Sequence, residues 1–257
     1  YQGDKFFYAN YMEVYPAYFN EGSAVLQKDD RLSPVRKKLF NCSCCPANVA
    51  RTVAMLGGYL YSVDEEGIYV HLYENSTASI EVKEETVELT QITNYPWDET
   101  VGIDVKCREN SRFVLNLRIP GWCKEWTVSI NGQKCEYTYD HGYAALKRQW
   151  KNGDHIELHL AMDVQVIRTN PKVRQNVGKA ALQRGPIVYC IEEADNFKNL
   201  HDFCLDTSSP INVEQSSLFG GISVLKLKGT VADMDEWDGS LYTSKVPSKR
   251  KEAEVTA

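Results

Sequence analysis

From about residue 64 onward the chain is written in short alternating runs. Gly67-Ile68-Tyr69-Val70-His71-Leu72-Tyr73, Ser79-Ile80-Glu81-Val82, Val87-Glu88-Leu89, Val101-Gly102-Ile103-Asp104-Val105 and the run from Phe113 to Ile119 set apolar side chains at alternate positions. That period places them on one face of a strand. Asn131-Gly132, between Trp126-Thr127-Val128-Ser129-Ile130 and Lys134-Cys135-Glu136-Tyr137, is the signature of a two-residue type I′ hairpin. Asn152-Gly153-Asp154 introduces His155-Ile156-Glu157-Leu158-His159-Leu160 in the same manner. Short strands with a turn roughly every 8–12 residues predict antiparallel sheets in a sandwich or barrel.

The one convincing helical pattern lies earlier. Cys45-Pro46-Ala47-Asn48 opens it, with proline near the first turn, where its missing N–H costs least. Val49, Val53 and Leu56 supply an apolar face, and Gly57-Gly58 ends it. Ahead of it, the aromatic run Phe6-Phe7-Tyr8-Ala9-Asn10 reads as a strand. After Arg168-Thr169-Asn170-Pro171 the texture changes, with a buried-strand run at Ile187-Val188-Tyr189-Cys190-Ile191 and another strand at Ile222–Lys228. The expected division is therefore 1–63, a β-sandwich over 64–172, and a second β module over 173–257. Both ends read as cuts from something longer, the second module lacking its last strands, and location is left open.

Composition sets limits on partners. A net charge of −6 over 257 residues argues against a nucleic-acid or anionic-membrane binder, which needs a basic face. No apolar run reaches the length of a membrane-spanning helix. Eight cysteines are too few for a disulfide scaffold.

Chemistry concentrates in Cys42-Ser43-Cys44-Cys45-Pro46. Three thiols at a helix entrance meet a dipole and free N–H groups that favour thiolate over thiol. Strand-like spacing would put Cys42 and Cys44 on one face and Cys45 on the other. A thiolate is both a metal ligand and a nucleophile. A self-contained zinc ribbon needs a second Cys-x₂-Cys pair, and the chain has none. Spacing alone leaves metal or redox chemistry, a strained Cys44–Cys45 vicinal disulfide and chance clustering all open. Cys107, Cys135 and Cys190 fall inside strand patterns, as small apolar residues do. His155, Glu157 and His159 line one face of a strand, read as the solvated one, rather than a helical zinc motif. Trp97, Trp122, Trp126, Trp150 and Trp237 are candidates for stacking on sugars or for packing in a β core.

Two further runs, Leu117-Arg118-Ile119-Pro120-Gly121-Trp122 and Arg184-Gly185-Pro186-Ile187-Val188-Tyr189-Cys190, join the aromatic segment and the Cys-x-Cys-Cys-Pro-x-Asn motif in a fixed order. Together they resemble the β-L-arabinofuranosidases of glycoside hydrolase family 127 and its relatives. The resemblance implies a mainly β chain: the C-terminal piece of an (α/α)₆ barrel, followed by antiparallel β-sandwich domains. It also implies a retaining hydrolase acting on β-linked L-arabinofuranose of plant-type glycans, with a zinc-bound cysteine as nucleophile. Carried over residue by residue, Cys44 becomes the nucleophile and a zinc ligand, Cys45 a second zinc ligand, and Tyr8 a substrate-binding residue. The family's acid/base and its other zinc ligands, a Glu and a third Cys, lie upstream of anything matching Tyr1, and Glu13 takes no such role. The expected partners are a carbohydrate and, for assembly, a second copy in a homodimer. Residues 1–257 alone are expected to hold zinc weakly and to lack turnover. A reading from another class is a non-catalytic β-sandwich module that binds glycans or acts as a scaffold.

Overall fold

The alternating runs become strands, and their apolar faces close on one another. The computed structural model describes residues 4–8, 33, 35–42, 44–237, 239–245 and 249–257. Ala9-Asn10, Glu13 and Ser43 lie outside the described residues. The backbone divides into two compact units, Tyr1–Leu60 and Tyr61–Ala257.

In the second unit the strands run β1 (Tyr61–Val63), β2 (Gly67–Val70), β3 (Ser76–Val82), β4 (Glu85–Thr93), β5 (Thr100–Lys106), β6 (Ser111–Arg118), β7 (Trp126–Ile130), β8 (Gln133–Lys134), β9 (Thr138–Asp140), β10 (Tyr143–Trp150) and β11 (Asp154–Leu160). They form a five-stranded sheet, β1-β2-β6-β10-β9, and a six-stranded sheet, β3-β4-β5-β11-β7-β8. Ile68, Val70, Leu115, Leu117 and Leu146 of the first sheet share one buried cluster with Leu89, Ile103, Val128, Ile156 and Leu158 of the second. Two sheets that bury alternate residues against each other make a sandwich. Asn131 and Gly132 both take positive φ between β7 and β8, as a type I′ turn requires.

Not every pair is antiparallel. β2 and β6 run parallel, Gly67 beside Val114 and Val70 beside Leu117. Strands β3 to β5 make the crossover through the other sheet. Gly67 is required there: a Cβ would overlap the Val114 carbonyl oxygen.

Four leucine and valine side chains form a second cluster. Leu182, Leu225, Leu227 and Val255 bury together. They come from β12 (Val164–Arg168), β13 (Ala180–Arg184), β14 (Ile187–Tyr189), β15 (Cys204–Leu205), β16 (Asn212–Ser216), β17 (Ile222–Ala232) and β18 (Arg250–Thr256) or pack on them. β12-β13-β14 is one sheet; β17 carries β15, β16 and β18 in the other. Because β18 overlaps the stretches of β17 paired with both β15 and β16, it lies along the opposite edge. The expected buried run at 187–191 is overturned: β14 pairs only with β13, stops at Tyr189, and leaves Val188 59% exposed. Cys107, Cys135 and Cys190 lie just beyond strand ends rather than inside strands.

Arg184 ties this part to the sandwich. It donates from Nη1 to the Trp97 carbonyl at 3.0 Å, and its Nη2 lies 3.6 Å from Glu99 Oε1, which accepts from the Met162 amide at 3.0 Å. Next to it, Gly185 has φ +55°, and a Cβ there would sit 2.7 Å from Met162 Sδ. Only 11% of the Arg184 side chain is exposed, and losing it takes the cation from a half-buried carboxylate and a donor from the Trp97 carbonyl. Arg184→Ala is expected to cost about 1–3 kcal/mol in urea denaturation.

Candidate active site

In the first unit a helix entrance and an aromatic strand-like segment meet. Helix α1 spans Cys44–Met55, one residue earlier than the opening at Cys45 that the sequence predicts, with a 3₁₀ turn over Leu56–Tyr59 where Gly57-Gly58 were expected to stop it. The start at Cys44 puts Cys44 and Cys45 together in the first turn, which replaces the strand-like alternation expected of them. Asn48 fixes that turn: its Nδ2 donates to the Cys44 carbonyl at 2.7 Å, and its Oδ1 accepts from Arg51 at 2.8 Å. No acidic side chain occupies the first turn, so the positive end of the dipole is left to the sulfurs.

Tyr8 is brought there by its own segment. Phe6 and Lys37 exchange backbone hydrogen bonds of 3.0 Å in each direction. This bridge is all the strand character the aromatic run shows among the described residues. Phe40 is 3% exposed and takes the rings of Phe6 and Tyr8 at centroid distances of 5.1 and 5.4 Å, the Tyr8 contact edge-on.

The Tyr8 hydroxyl lies 3.0 Å from Cys42 Sγ, 2.8 Å from Cys45 Sγ and 3.8 Å from Cys44 Sγ. Between sulfurs, Cys42–Cys44 is 3.3 Å and Cys44–Cys45 is 3.8 Å. Hydrogen bonding to Cys42 first, then to Cys45 and Cys44, raises the phenol's pKa well beyond its ordinary value. Tyr8 therefore stays protonated, and one phenol hydrogen serves one sulfur at a time. Cys42, one of the three thiols the sequence singles out but without a role in the family resemblance, is part of this cluster.

A tetrahedral metal with Zn–S bonds of about 2.3 Å sets its sulfurs about 3.8 Å apart. The Cys44–Cys45 pair matches that edge, and Cys42–Cys44 is too short for it. The pair thus fits two corners of a thiolate metal site. Among the described residues no group of three or more His, Cys, Asp or Glu side chains is arranged to hold a metal.

The other sequence candidates fall away from this cluster in chemistry. His155 Nδ1 lies 2.6 Å from Asp104 and His159 Nε2 3.4 Å from Glu99, each on its own carboxylate rather than a shared site. Burial pushes up the Cys107, Cys123 and Cys135 thiols, the opposite of activation. Trp150 is a core residue, and Trp126 edges a hollow of about 430 Å³ with Tyr137 and His159.

Two family profiles match the second unit in sequence order. Residues 67–162 match the β-L-arabinofuranosidase GH127 middle domain, and residues 164–247 match the glycoside hydrolase family 127 C-terminal domain. The chain belongs to glycoside hydrolase family 127. Both matched spans lie C-terminal to the cysteine cluster. Their junction at 162–164 falls where Met162 and Arg184 meet Glu99.

Individual relatives extend the likeness across the first unit. A non-reducing end β-L-arabinofuranosidase from Bifidobacterium longum subsp. longum is 33% identical over 254 residues, covering 93% of this chain. The crystal structure of a GH127 β-L-arabinofuranosidase from Geobacillus stearothermophilus T6 superposes with a TM-score of 0.88 at 38% identity over 99% of the chain. A second solved GH127 β-arabinofuranosidase gives 0.76 at 33% identity over 86%. The chain spans 37% of the length of the first of these relatives, 40% of the second and 36% of the third.

Proposed function

We propose that this family 127 chain is part of a retaining glycoside hydrolase that releases β-linked L-arabinofuranose from plant-type glycans, with Cys44 as nucleophile. The observation that carries the reading is the Tyr8 hydroxyl facing three sulfurs within 3.8 Å at a helix N-terminus. Relatives named as β-L-arabinofuranosidases support the choice of sugar.

Retaining glycosidases ordinarily place two carboxyl groups about 5 Å apart, one as nucleophile and one as acid/base. Here a sulfur takes the nucleophile's place. Cys44 Sγ bonds to the anomeric carbon as the glycosidic C–O bond breaks and the leaving oxygen takes a proton from the acid. Water, deprotonated by the same group, then displaces the sulfur, and two inversions give retention. Cys44 and Cys45 would hold zinc, which when bound keeps the sulfur deprotonated near neutral pH and makes it a tolerable leaving group. Tyr8, held protonated, donates to a sugar hydroxyl and positions the ring over Cys44. The acid/base and the remaining zinc donors, a Glu and a Cys, are not assigned to residues of this chain.

In this reading residues 1–63 are the closing segment of an (α/α)₆ catalytic barrel. The exposed apolar side chains Val49, Val53 and Met55 of α1, with Leu56 of the 3₁₀ turn that follows, support it, because such a face calls for a partner layer. Residues 64–172 and 173–257 are then two β modules.

The test is hydrolysis of an aryl β-L-arabinofuranoside by the full-length protein, followed by proton NMR from the first turnover. The β anomer of L-arabinose is expected to form first. An α anomer first ends the nucleophile reading, and no hydrolysis of this sugar in either linkage ends the substrate reading.

A further inference from the structure

Cys42 is the sulfur that the proposed chemistry leaves without work. Two adjacent cysteines account for the fitted metal edge, yet Cys42 Sγ is closer to Cys44 Sγ, at 3.3 Å, than Cys45 Sγ is, at 3.8 Å. We propose that Cys42 and Cys44 are a site of oxidative cross-linking: a peroxide joins them in a disulfide within the segment Cys42-Ser43-Cys44 and takes the Cys44 sulfur out of use.

Geometry selects this pair. A disulfide needs its sulfurs about 2.05 Å apart, so closure requires a shift of about 1.3 Å. Cys42 precedes α1 in irregular backbone and can supply the shift by side-chain rotation. Cys44 and Cys45 are both held in the first helical turn, with Pro46 next in line. A ring between neighbours would have to close across one peptide bond against that helical geometry. Cys44 is exposed to an incoming oxidant, whereas Cys123 is buried and Cys107 and Cys135 are half-buried.

The step balances with hydrogen peroxide as oxidant. The Cys44 thiolate attacks one peroxide oxygen, the O–O bond breaks, and hydroxide leaves, giving a sulfenic acid on Cys44. The Cys42 sulfur then attacks the Cys44 sulfur, the S–O bond breaks, and a second hydroxide leaves. With the two thiol protons, the products are one disulfide and two waters. A dithiol reductant reverses it. Loss of catalysis on closure rests on the nucleophile role proposed for Cys44; the bridge itself does not.

The experiment is peptide mapping of the full-length protein, treated first with a chelator to strip thiolate-bound metal, then with hydrogen peroxide, then with iodoacetamide. Trypsin releases Leu39–Arg51, which carries all three cysteines. After oxidation this peptide is expected to be two hydrogens lighter and to carry one carbamidomethyl group, on Cys45, instead of three. Reduction before alkylation restores three. The bridge is expected to persist in Cys45→Ser and to vanish in Cys42→Ser. Three alkylated cysteines after peroxide, a sulfinic acid on Cys44 with Cys42 still alkylated, or a bridge surviving in Cys42→Ser overturns the proposal. A bridge in a protein whose reduced form hydrolyses no arabinofuranoside keeps the cross-link and rejects only the nucleophile role.

Discussion

Cys44→Ser in the full-length protein is expected to lower kcat/KM for an aryl β-L-arabinofuranoside by at least about 10³-fold. The substitution replaces sulfur by oxygen at the same position and leaves α1 intact, because Asn48 bonds the Cys44 backbone carbonyl and not its side chain. A serine hydroxyl is a weak nucleophile at its ordinary pKa and needs an adjacent base to activate it. The neighbours described around this position are two cysteine sulfurs and a phenol, with no carboxylate or imidazole among them to serve as that base. Cys45→Ser is expected to fail differently. It removes one corner of the metal edge, so zinc retained after dialysis falls together with the rate. The two variants, assayed for rate and for metal, separate nucleophile from ligand. A Cys44→Ser enzyme at full rate would remove Cys44 from the mechanism.

The family was legible because its motifs do structural work. Leu117-Arg118-Ile119-Pro120-Gly121-Trp122 takes β6 into a turn where the Ile119 amide donates to Gly142 O and the Tyr73 hydroxyl to Arg118 O. Arg184-Gly185 puts a cation on Trp97 O and Glu99 beside a residue that must lack a Cβ. Such positions constrain residue type, and a reader of sequence sees the constraint. The alternation over 67–160 was legible for the same reason, since each core face is set by period 2. The partner of each strand was not. Nothing in Gly67–Val70 says that its neighbour is β6 and parallel, because alternation fixes a face and not an edge. Val188 misled because a β-branched run reads alike on a buried strand and on an edge strand paired at one side. The site divides similarly. A helix entrance rich in thiols is visible in the letters, but the 3.3 Å approach of Cys42 to Cys44 depends on a backbone path that spacing does not encode.

Trp150→Ala is expected to cost the fold about 3–5 kcal/mol, a large part of the roughly 5–15 kcal/mol that holds a domain together. Trp150 ends β10 with no exposed surface, stacked on Phe113 at 5.5 Å and 20°. Its indole N–H donates to the Phe113 carbonyl at 3.0 Å, and the Arg148 guanidinium lies 5.2 Å from its ring. Truncation empties a large volume in the sandwich and removes the indole hydrogen bond to that carbonyl, two costs that add. Trp150→Phe refills most of the volume but not the hydrogen bond, so it should fall between alanine and wild type. The same pair of variants asks whether the two buried clusters unfold together. Leu225, Leu227 and Val255 belong to the other cluster, and Arg184 is a polar tie from that part to Trp97 and Glu99 of the sandwich. With two separate buried clusters, amide exchange in Trp150→Ala should accelerate across β2, β6 and β10 while β17 and β18 keep most of their protection. Equal loss of protection in β17 would show one cooperative unit, and a cost below about 1 kcal/mol would remove Trp150 from the centre of the core.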